Sequence, residues 1–341
     1  MTAMPRQAPE PDGRALVGRA ELEAARALLD GLLSPTPQTR WPLLDEATGC
    51  EVLVKHENHN PTGAFKVRGG LVYMTRLKAE RPDVSGVVCA TRGNHGQSVA
   101  LAAARVGLTA TIVVPGCNNP EKNAAMRAYG AEVIVHGSDF VEASDHAKAL
   151  AAERGLHPVP SFHPWLVAGV GIYALELFTA APDLEAVFVP IGMGSGICGV
   201  VAARDALGLR TKVYGVVSET VDAYRRSFLA GAPVPCDCAD TLADGIAVRV
   251  PNPTALEAIL AGVADVLTVS DAEILAAMGR YFTTAHTIAE GAGAAPLAGL
   301  MRYRDALGLT GRRVGLILSG GNPDRALYAR ALATMEQGDH D

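Results

Sequence analysis

Lys66 lies where a lysine can act as a nucleophile. It follows a Pro-Thr-Gly turn and Phe65, and it begins a segment that contains the apolar residues Val67, Leu71 and Val72. Partial burial in such surroundings disfavours the ammonium form and lowers the pKa of a lysine. The neutral amine is the form that a nucleophilic or Schiff-base lysine needs. Taken alone, however, the position fits a surface lysine better, because lysines are rarely buried.

A second segment, Thr91-Arg92-Gly93-Asn94-His95, joins two predicted elements. The apolar run at residues 86–90 predicts a buried strand, and the Ala-rich run at 98–104 predicts a helix. Backbone N–H groups at a turn between a strand and a helix attract anions such as a carboxylate. A structural interpretation is equally open, in which Asn94 caps the helix and His95 is an ordinary first-turn residue.

A third segment places a glycine-rich turn between a predicted strand at 186–191 and an Ala-rich helix. Glycines let the backbone approach a phosphate closely, and the N–H groups of the helix N-terminus then stabilise the negative charge. The spacing Gly194-x-Gly196-x-x-Gly199 also matches the dinucleotide fingerprint, with Glu219 as the candidate ribose ligand. The segment favours a phosphate site and leaves the kind of phosphate open. The turn consists of Gly192, Met193, Gly194, Ser195 and Gly196.

A fourth segment, Ser319-Gly320-Gly321-Asn322, ends the predicted strand at 314–318. Ser319 is therefore expected at the carboxyl end of a strand, where open α/β sheets bind their ligands. Taken alone, a simple connection between a strand and a helix explains this segment better.

Together, the four segments resemble the fold type II family of pyridoxal-phosphate enzymes, and most closely its serine/threonine dehydratase branch. That family has a Ser/Thr-Gly-Ala/Ser-Phe-Lys-x-Arg-Gly lysine motif, a Gly-Asn-His loop, a tetraglycine-like phosphate loop and a Ser-Gly-Gly-Asn turn. Residues 241–247 and 290–294 resemble two further motifs of the family. The six segments occur in the family order over residues 60–322, whereas a dinucleotide enzyme explains only the third.

The resemblance implies that pyridoxal 5'-phosphate is the cofactor and that Lys66 carries it as a Schiff base. Lys66 would then remove the α-proton of the substrate, and Phe65 would pack on the cofactor ring. Asn94 matches the residue that bonds the ring hydroxyl, and Ser319 matches the residue that faces the pyridine nitrogen. The turn at 192–196 matches the phosphate loop. Substrate contacts are expected from the second segment, which is Thr91, Arg92, Gly93, Asn94 and His95.

The implied reaction is the α,β-elimination of a β-hydroxy-α-amino acid to a 2-oxo acid and ammonia. L-threonine, L-serine, 3-hydroxyaspartate and larger β-substituted serines are the candidate substrates. The alternatives are another fold type II reaction, such as racemisation or β-replacement, and a non-catalytic cofactor binder. Arg92 replaces the small residue that is usual in dehydratases and the serine that racemases use as a second base. Because a guanidinium cannot act as a base near neutral pH, racemisation is disfavoured. Arg92 either binds a second substrate carboxylate, supports the loop or points to solvent.

Alternating strands and helices predict an α/β fold with two open twisted sheets flanked by helices. A small domain is expected at residues 55–160, with strands near 51–55, 86–90, 109–115 and 131–136. A large cofactor-binding domain is expected from residues 1–54 and 161–341, with strands at 186–191, 211–217, 263–269 and 314–318. The resemblance implies a tryptophan synthase β-like arrangement, with the cofactor in the cleft between the domains.

The composition is that of a soluble enzyme, with 341 residues, 49% hydrophobic residues and a net charge of −6. No basic run indicates nucleic acid, and no apolar run reaches transmembrane length. The six cysteines lack the spacing of a zinc site, and no metal site is predicted. Glu219, Asp222 and Asp244 could together bind a divalent cation, but isolated carboxylates usually face solvent. We expect a cytoplasmic homodimer or higher homo-oligomer that acts on a small amino acid.

Overall fold

The computed structural model describes residues 16–238 and 240–338. Its strands are β1 (Gln38–Arg40), β2 (Glu51–His56), β3 (Gly86–Ala90), β4 (Thr109–Val114), β5 (Glu132–Val135), β6 (His157–Pro158), β7 (Ala186–Pro190), β8 (Lys212–Ser218), β9 (Asp265–Val269) and β10 (Arg313–Leu318). Its α-helices are α1 (Arg19–Leu29), α2 (Pro42–Thr48), α3 (Lys66–Glu80), α4 (Asn94–Arg105), α5 (Pro120–Ala128), α6 (Phe140–Arg154), α7 (Pro164–Ala180), α8 (Ser195–Ala206), α9 (Ala223–Ala230), α10 (Pro253–Gly262), α11 (Asp271–Ala285), α12 (Gly291–Tyr303) and α13 (Arg325–Gly338). Two short 3-10 helices span Glu57–His59 and Asp244–Ile246.

The strands form two separate sheets. The larger sheet has the order β1-β2-β10-β7-β8-β9, and the smaller sheet has the order β5-β4-β3-β6. Neighbouring strands run parallel except β1, which pairs antiparallel with β2. Parallel strands need helical crossovers that cover both faces of a sheet, which is why most of these strands are continuous apolar runs. The predicted α/β fold with two sheets flanked by helices is confirmed.

Strand β2 belongs to the larger sheet, where it lies between β1 and β10. Its pairing with β10 runs from Glu51 opposite Arg313 to His56 opposite Leu318. The predicted domain border between residues 54 and 55 therefore falls within a strand of this sheet. The limits of the two domains stay a prediction.

Close helix packing fixes where helices α3 and α8 begin. A Cβ atom on Gly169 of α7 would lie 2.8 Å from the Cα atom of Gly69 in α3. Likewise, a Cβ atom on Gly199 of α8 would lie 2.9 Å from the backbone nitrogen of Gly171 in α7. Glycines at these points let the backbones of the three helices come together, as close interhelical contacts require. Helix α7 thus packs closely against the first turns of α3 and α8.

Within the described residues, no helix is both long enough and apolar enough to cross a membrane.

Candidate active site

Lys66 is the first residue of α3, and the chain just before it is fixed to the end of β10. The backbone nitrogen of Phe65 donates a hydrogen bond to the carbonyl oxygen of Ser319 at 3.0 Å. Ala64 forms an isolated antiparallel bridge with Gly320, and Gly321 donates to the carbonyl of Gly63 at 2.9 Å. Two segments some 250 residues apart in the sequence therefore position one lysine.

The Lys66 amine lies in a cavity and has no counter-ion in contact. Burial lowers its pKa, and the charge of Glu290 opposes this only in part. The Nζ atom lies 4.9 Å from the centre of the Phe65 ring. Among residues 16–238 and 240–338, no side chain or backbone group forms a hydrogen bond or an ion pair with it. A desolvated and unpaired amine favours the neutral form, which is the reactive one.

The glycine-rich turn leaves β7 and begins α8 on the other side of the same cavity. Gly194 has φ of 103°, in the left-handed region that favours glycine. Two tyrosine hydroxyls fix the turn: Tyr224 donates to the carbonyl of Met193 at 3.1 Å, and Tyr173 donates to the carbonyl of Gly196 at 3.1 Å. These bonds fix the backbone of the turn, and the first N–H groups of α8, which have no partner within the helix, can bind an anion.

Asn94, Glu290 and Asn322 form a polar cluster beside Lys66. The Asn94 amide nitrogen donates to Oε1 of Glu290 at 2.6 Å, and its amide oxygen accepts from Asn322 at 2.9 Å. Asn322 also donates to the carbonyl of Thr62 at 2.8 Å. Gly320 is needed here, since a Cβ atom would lie 2.4 Å from the Glu290 carboxylate. The side chain of Asn94 does not cap α4, whose N-cap is Gly93, so the capping interpretation is wrong.

The loop at 91–95 is held by Thr91. Its hydroxyl oxygen accepts hydrogen bonds from the backbone nitrogens of Gly93 at 3.0 Å and Gly96 at 3.2 Å. The first two N–H groups of α4, those of Asn94 and His95, have no partner within the helix. The Nε2 atom of His95 is buried and has no hydrogen-bond partner among the described residues. Burial, with a smaller effect of the Lys66 charge, lowers the pKa of His95 to about 3, so the imidazole is neutral.

Two adjoining cavities collect the residues predicted from the sequence. The smaller one is lined by all of the predicted cofactor residues: Lys66, Phe65, Asn94, Gly192, Met193, Gly194, Ser195, Gly196 and Ser319. The larger one, of about 490 Å³, is lined by all of the predicted substrate residues: Thr91, Arg92, Gly93, Asn94 and His95. Five residues line both cavities: Lys66, Asn94, Met193, Gly245 and Glu290. The roles of the individual residues stay predictions.

Some residues at the cavities were not predicted as site residues. Glu290 was part of a motif but received no role, and Gly245 and Ile246 came from another motif without a role. Lys122 lines the larger cavity, although nothing near it in the sequence suggests a site. A motif identifies the residues that occur together, but it does not show which of them face a cavity.

The dinucleotide alternative and the candidate cation site both depend on acids that the structure does not bring together. Glu219 does not line either cavity and pairs with Arg302 at 2.5 Å. Asp222 pairs with Arg226 at 2.6 Å, whereas Asp244 lies near Arg92. The three carboxylates therefore belong to separate ion pairs. The residues that line the smaller cavity instead fit pyridoxal phosphate: an unpaired amine, a glycine turn at a helix N-terminus and the Ser319 hydroxyl.

Comparison with known proteins gives the family. The model of the pyridoxal-phosphate dependent enzyme family matches residues 29–320. The chain belongs to this family. Among curated relatives, the biosynthetic L-threonine dehydratase IlvA of Pasteurella multocida is 36% identical over 84% of the chain, and the match spans 56% of that relative. The L-threo-3-hydroxyaspartate ammonia-lyase of a Pseudomonas species is 36% identical over 89% of the chain and 95% of its own length.

A solved structure agrees with these relatives. The processed form of threonine deaminase isoform 2 from Solanum lycopersicum superposes with a TM-score of 0.87 at 27% identity, covering 98% of each chain. The predicted family, its serine/threonine dehydratase branch, the pyridoxal-phosphate cofactor and the ammonia-lyase class of enzyme are confirmed.

Proposed function

We propose that this protein eliminates water from a β-hydroxy-α-amino acid, and that hydrolysis of the resulting enamine, as its imine tautomer, gives a 2-oxo acid and ammonia. The observation that carries the proposal is the unpaired Lys66 amine, which lies at the junction of a phosphate-type turn and a loop with free N–H groups. The relatives named above support the reaction and the class of substrate. Pyridoxal phosphate, when bound, supplies the electron sink for removal of the α-proton.

Lys66 has two tasks that both need a neutral amine. As the attachment point, its amine would hold the cofactor through the aldehyde carbon. As a free amine beside the substrate, it would accept the α-proton. Its burial beside the Phe65 ring favours the neutral state in both tasks, because the ammonium form is desolvated there.

The loop at 91–95 orients the substrate. The unpartnered N–H groups of Asn94 and His95 at the start of α4 suit the α-carboxylate. Asn94 is itself held by Glu290 and Asn322, so the loop is fixed before the substrate arrives. A fixed set of donors costs less entropy on binding than a mobile one.

The residues near the cavity favour elimination over racemisation. Racemisation needs a second base on the opposite side of the α-carbon from Lys66. Arg92 stands at the position where racemases have a serine, and a guanidinium cannot act as a base near neutral pH. At the end of β10, Ser319 offers a hydroxyl and not a carboxylate. A hydroxyl would stabilise a positive charge on the pyridine nitrogen of the cofactor less strongly than a carboxylate. The cofactor would then be a weaker electron sink, which favours prompt elimination over a long-lived carbanion. A cytoplasmic location and a homo-oligomeric state remain predictions.

Borohydride reduction of the holoenzyme tests the attachment. The reduced cofactor should be found on Lys66, and Lys66→Ala should lower 2-oxo acid formation from L-threonine or 3-hydroxyaspartate by at least about a thousandfold. Lys148→Ala is the matched control, since the side chain of Lys148 is 73% exposed on α6. Label on a different lysine would refute the site. Rapid exchange of D- and L-serine without 2-oxo acid would refute the reaction.

A further inference from the structure

A carboxylate already lies between two cations in the wall of the larger cavity. Oδ1 of Asp244 is 3.6 Å from Nη1 of Arg92, and Oδ2 of Asp244 is 4.0 Å from Nζ of Lys122. Charge-assisted hydrogen bonds between such groups are normally about 2.7–2.9 Å long. The Asp244 side chain is also 48% exposed. One carboxylate, in close contact with neither cation, therefore offsets only one of the two positive charges.

The two cations are held in place by the same loop. The Lys122 side chain is only 11% exposed, and its stem lies against Gly93, where a Cβ atom would come within 2.4 Å of Lys122 Cδ. Arg92 immediately precedes that glycine. Gly93 thus brings a lysine from α5 next to an arginine from the loop, and both line the larger cavity together with Asn94 and His95.

We propose that Arg92 and Lys122 form a subsite for a second carboxylate, carried on the β-carbon of the substrate. Asp244 occupies this subsite when that carboxylate is absent, and the substrate displaces it. The inference rests on the proposed function and narrows its substrate to β-hydroxy amino acids with an acidic side chain. A neutral substrate leaves Asp244 in place and gains nothing from the two cations.

Binding of unreactive amino acids to the holoenzyme tests the subsite without turnover. L-aspartate and L-2-aminobutyrate both lack the β-hydroxyl and have a similar size, but only aspartate has the second carboxylate. Titration followed through the cofactor absorbance gives both dissociation constants. Arg92→Met and Lys122→Met should each weaken the binding of aspartate by about ten- to hundredfold, because a charge-assisted contact with its side-chain carboxylate is lost. The dissociation constant for aminobutyrate should change less than about threefold, because its side chain has no charge that could pair with either cation.

Two further variants sharpen the test. Arg249→Met removes a positive charge from an exposed residue that lines the same cavity but has no ion pair with Asp244, so neither dissociation constant should change by more than about threefold. Asp244→Asn removes the competing carboxylate. It should tighten the binding of aspartate several-fold and leave the binding of aminobutyrate unchanged. Weaker aspartate binding in Asp244→Asn would contradict the displacement.

Equal weakening of both ligands in Arg92→Met and Lys122→Met would overturn the subsite and leave these residues as supports of the loop or the α-carboxylate. No weakening of either ligand would overturn it as well. The proposed function is judged separately, by 2-oxo acid release from L-threonine and L-threo-3-hydroxyaspartate in the unaltered enzyme. If the variants lose only aspartate binding and the unaltered enzyme releases no 2-oxo acid, the subsite is supported and the proposed elimination is refuted.

Discussion

Lys55 and Lys66 are both removed from water, but their surroundings differ. Lys55 is fully buried, and its Nζ atom donates to Glu176 at 2.6 Å and to the carbonyl of Thr36 at 2.9 Å. Burial lowers the pKa of both lysines, and for Lys55 the contact with Glu176 opposes the shift. Lys66 has no such contact. One lysine is held as a charged structural group, while the other is left free for chemistry.

Lys55 belongs to a buried ionic cluster that contains Glu57, Arg68 and Glu176. Arg68 binds Glu57 at 2.8 Å and Glu176 at 2.7 Å, and the side chains of Arg68 and Glu57 are 1% and 0% exposed. Although burial opposes it, the contacts with these carboxylates raise the pKa of Arg68. The cluster joins β2, α3 and α7 two residues beyond Lys66. In the ionic cluster, each buried lysine or arginine is paired with a carboxylate. In the neighbouring cavity, Lys66 has no such partner among the described residues, and this difference leaves its amine available for chemistry.

The largest expected effect separates Arg68 from Lys66 in the cofactor-free protein. Arg68→Met leaves Glu57 buried and unpaired, so the free energy of unfolding should fall by about 3–5 kcal/mol. Lys66→Met has the same change of side-chain type but breaks no ion pair, and it should not lower the free energy of unfolding. Urea denaturation of both variants measures the contrast. Equal losses would show that Lys66 is a structural residue too.

An intermediate effect should appear in the acid stability of the site. The pKa of His95 is about 3 in the folded protein, against an ordinary value of 6.5. Between these values the unfolded chain binds more protons than the folded one, so the free energy of unfolding falls as the pH is lowered. Each pH unit should cost at most about 1.4 kcal/mol. His95→Leu should flatten this dependence, whereas His136→Leu, at an exposed position, should not. An unchanged slope in His95→Leu would contradict the buried neutral imidazole.

The smallest effect concerns the glycine turn. Gly194→Ala forces a left-handed conformation on alanine, which costs about 1–2 kcal/mol, and its Cβ atom would lie 2.6 Å from that of Ala255. Cofactor affinity in reconstitution experiments should fall about tenfold. Gly208→Ala also has positive φ but meets no atom within 4 Å, so it should lower stability without changing cofactor affinity. Similar cofactor affinities in both variants would mean that the turn does not bind the phosphate.

The sequence allowed prediction of those parts that depend on local pattern. Apolar runs identified β3, β4, β7, β8, β9 and β10, because parallel strands are buried on both faces. Strands β1 and β6 were missed, since they have only three and two residues and lie at sheet edges. The turn at 192–196 and Ser319 were found because small residues directly follow buried strands.

Contacts between side chains that lie far apart in the sequence could not be predicted. Asn94 meets Glu290 across 196 residues, and Arg68 meets Glu176 across 108. No periodicity or spacing relates such residues. Arg68 illustrates the limit, because it lies in the lysine motif yet points to the ionic cluster and not to the cavity. For Arg92 the sequence left three roles open, and only the position of Lys122 and Asp244 beside it favours one of them.

Strand β10 lies between β2 and β7, although it is made long after both. During synthesis, β2 and β7 leave the ribosome with the edges that β10 will later cover still open. The contacts that fix Ala64 and Phe65 to Ser319 and Gly320 also wait for this strand. A nascent chain therefore acquires Lys66 early but cannot fix its position until residues 313–320 emerge. We therefore expect the cofactor to bind only after this strand has joined the sheet.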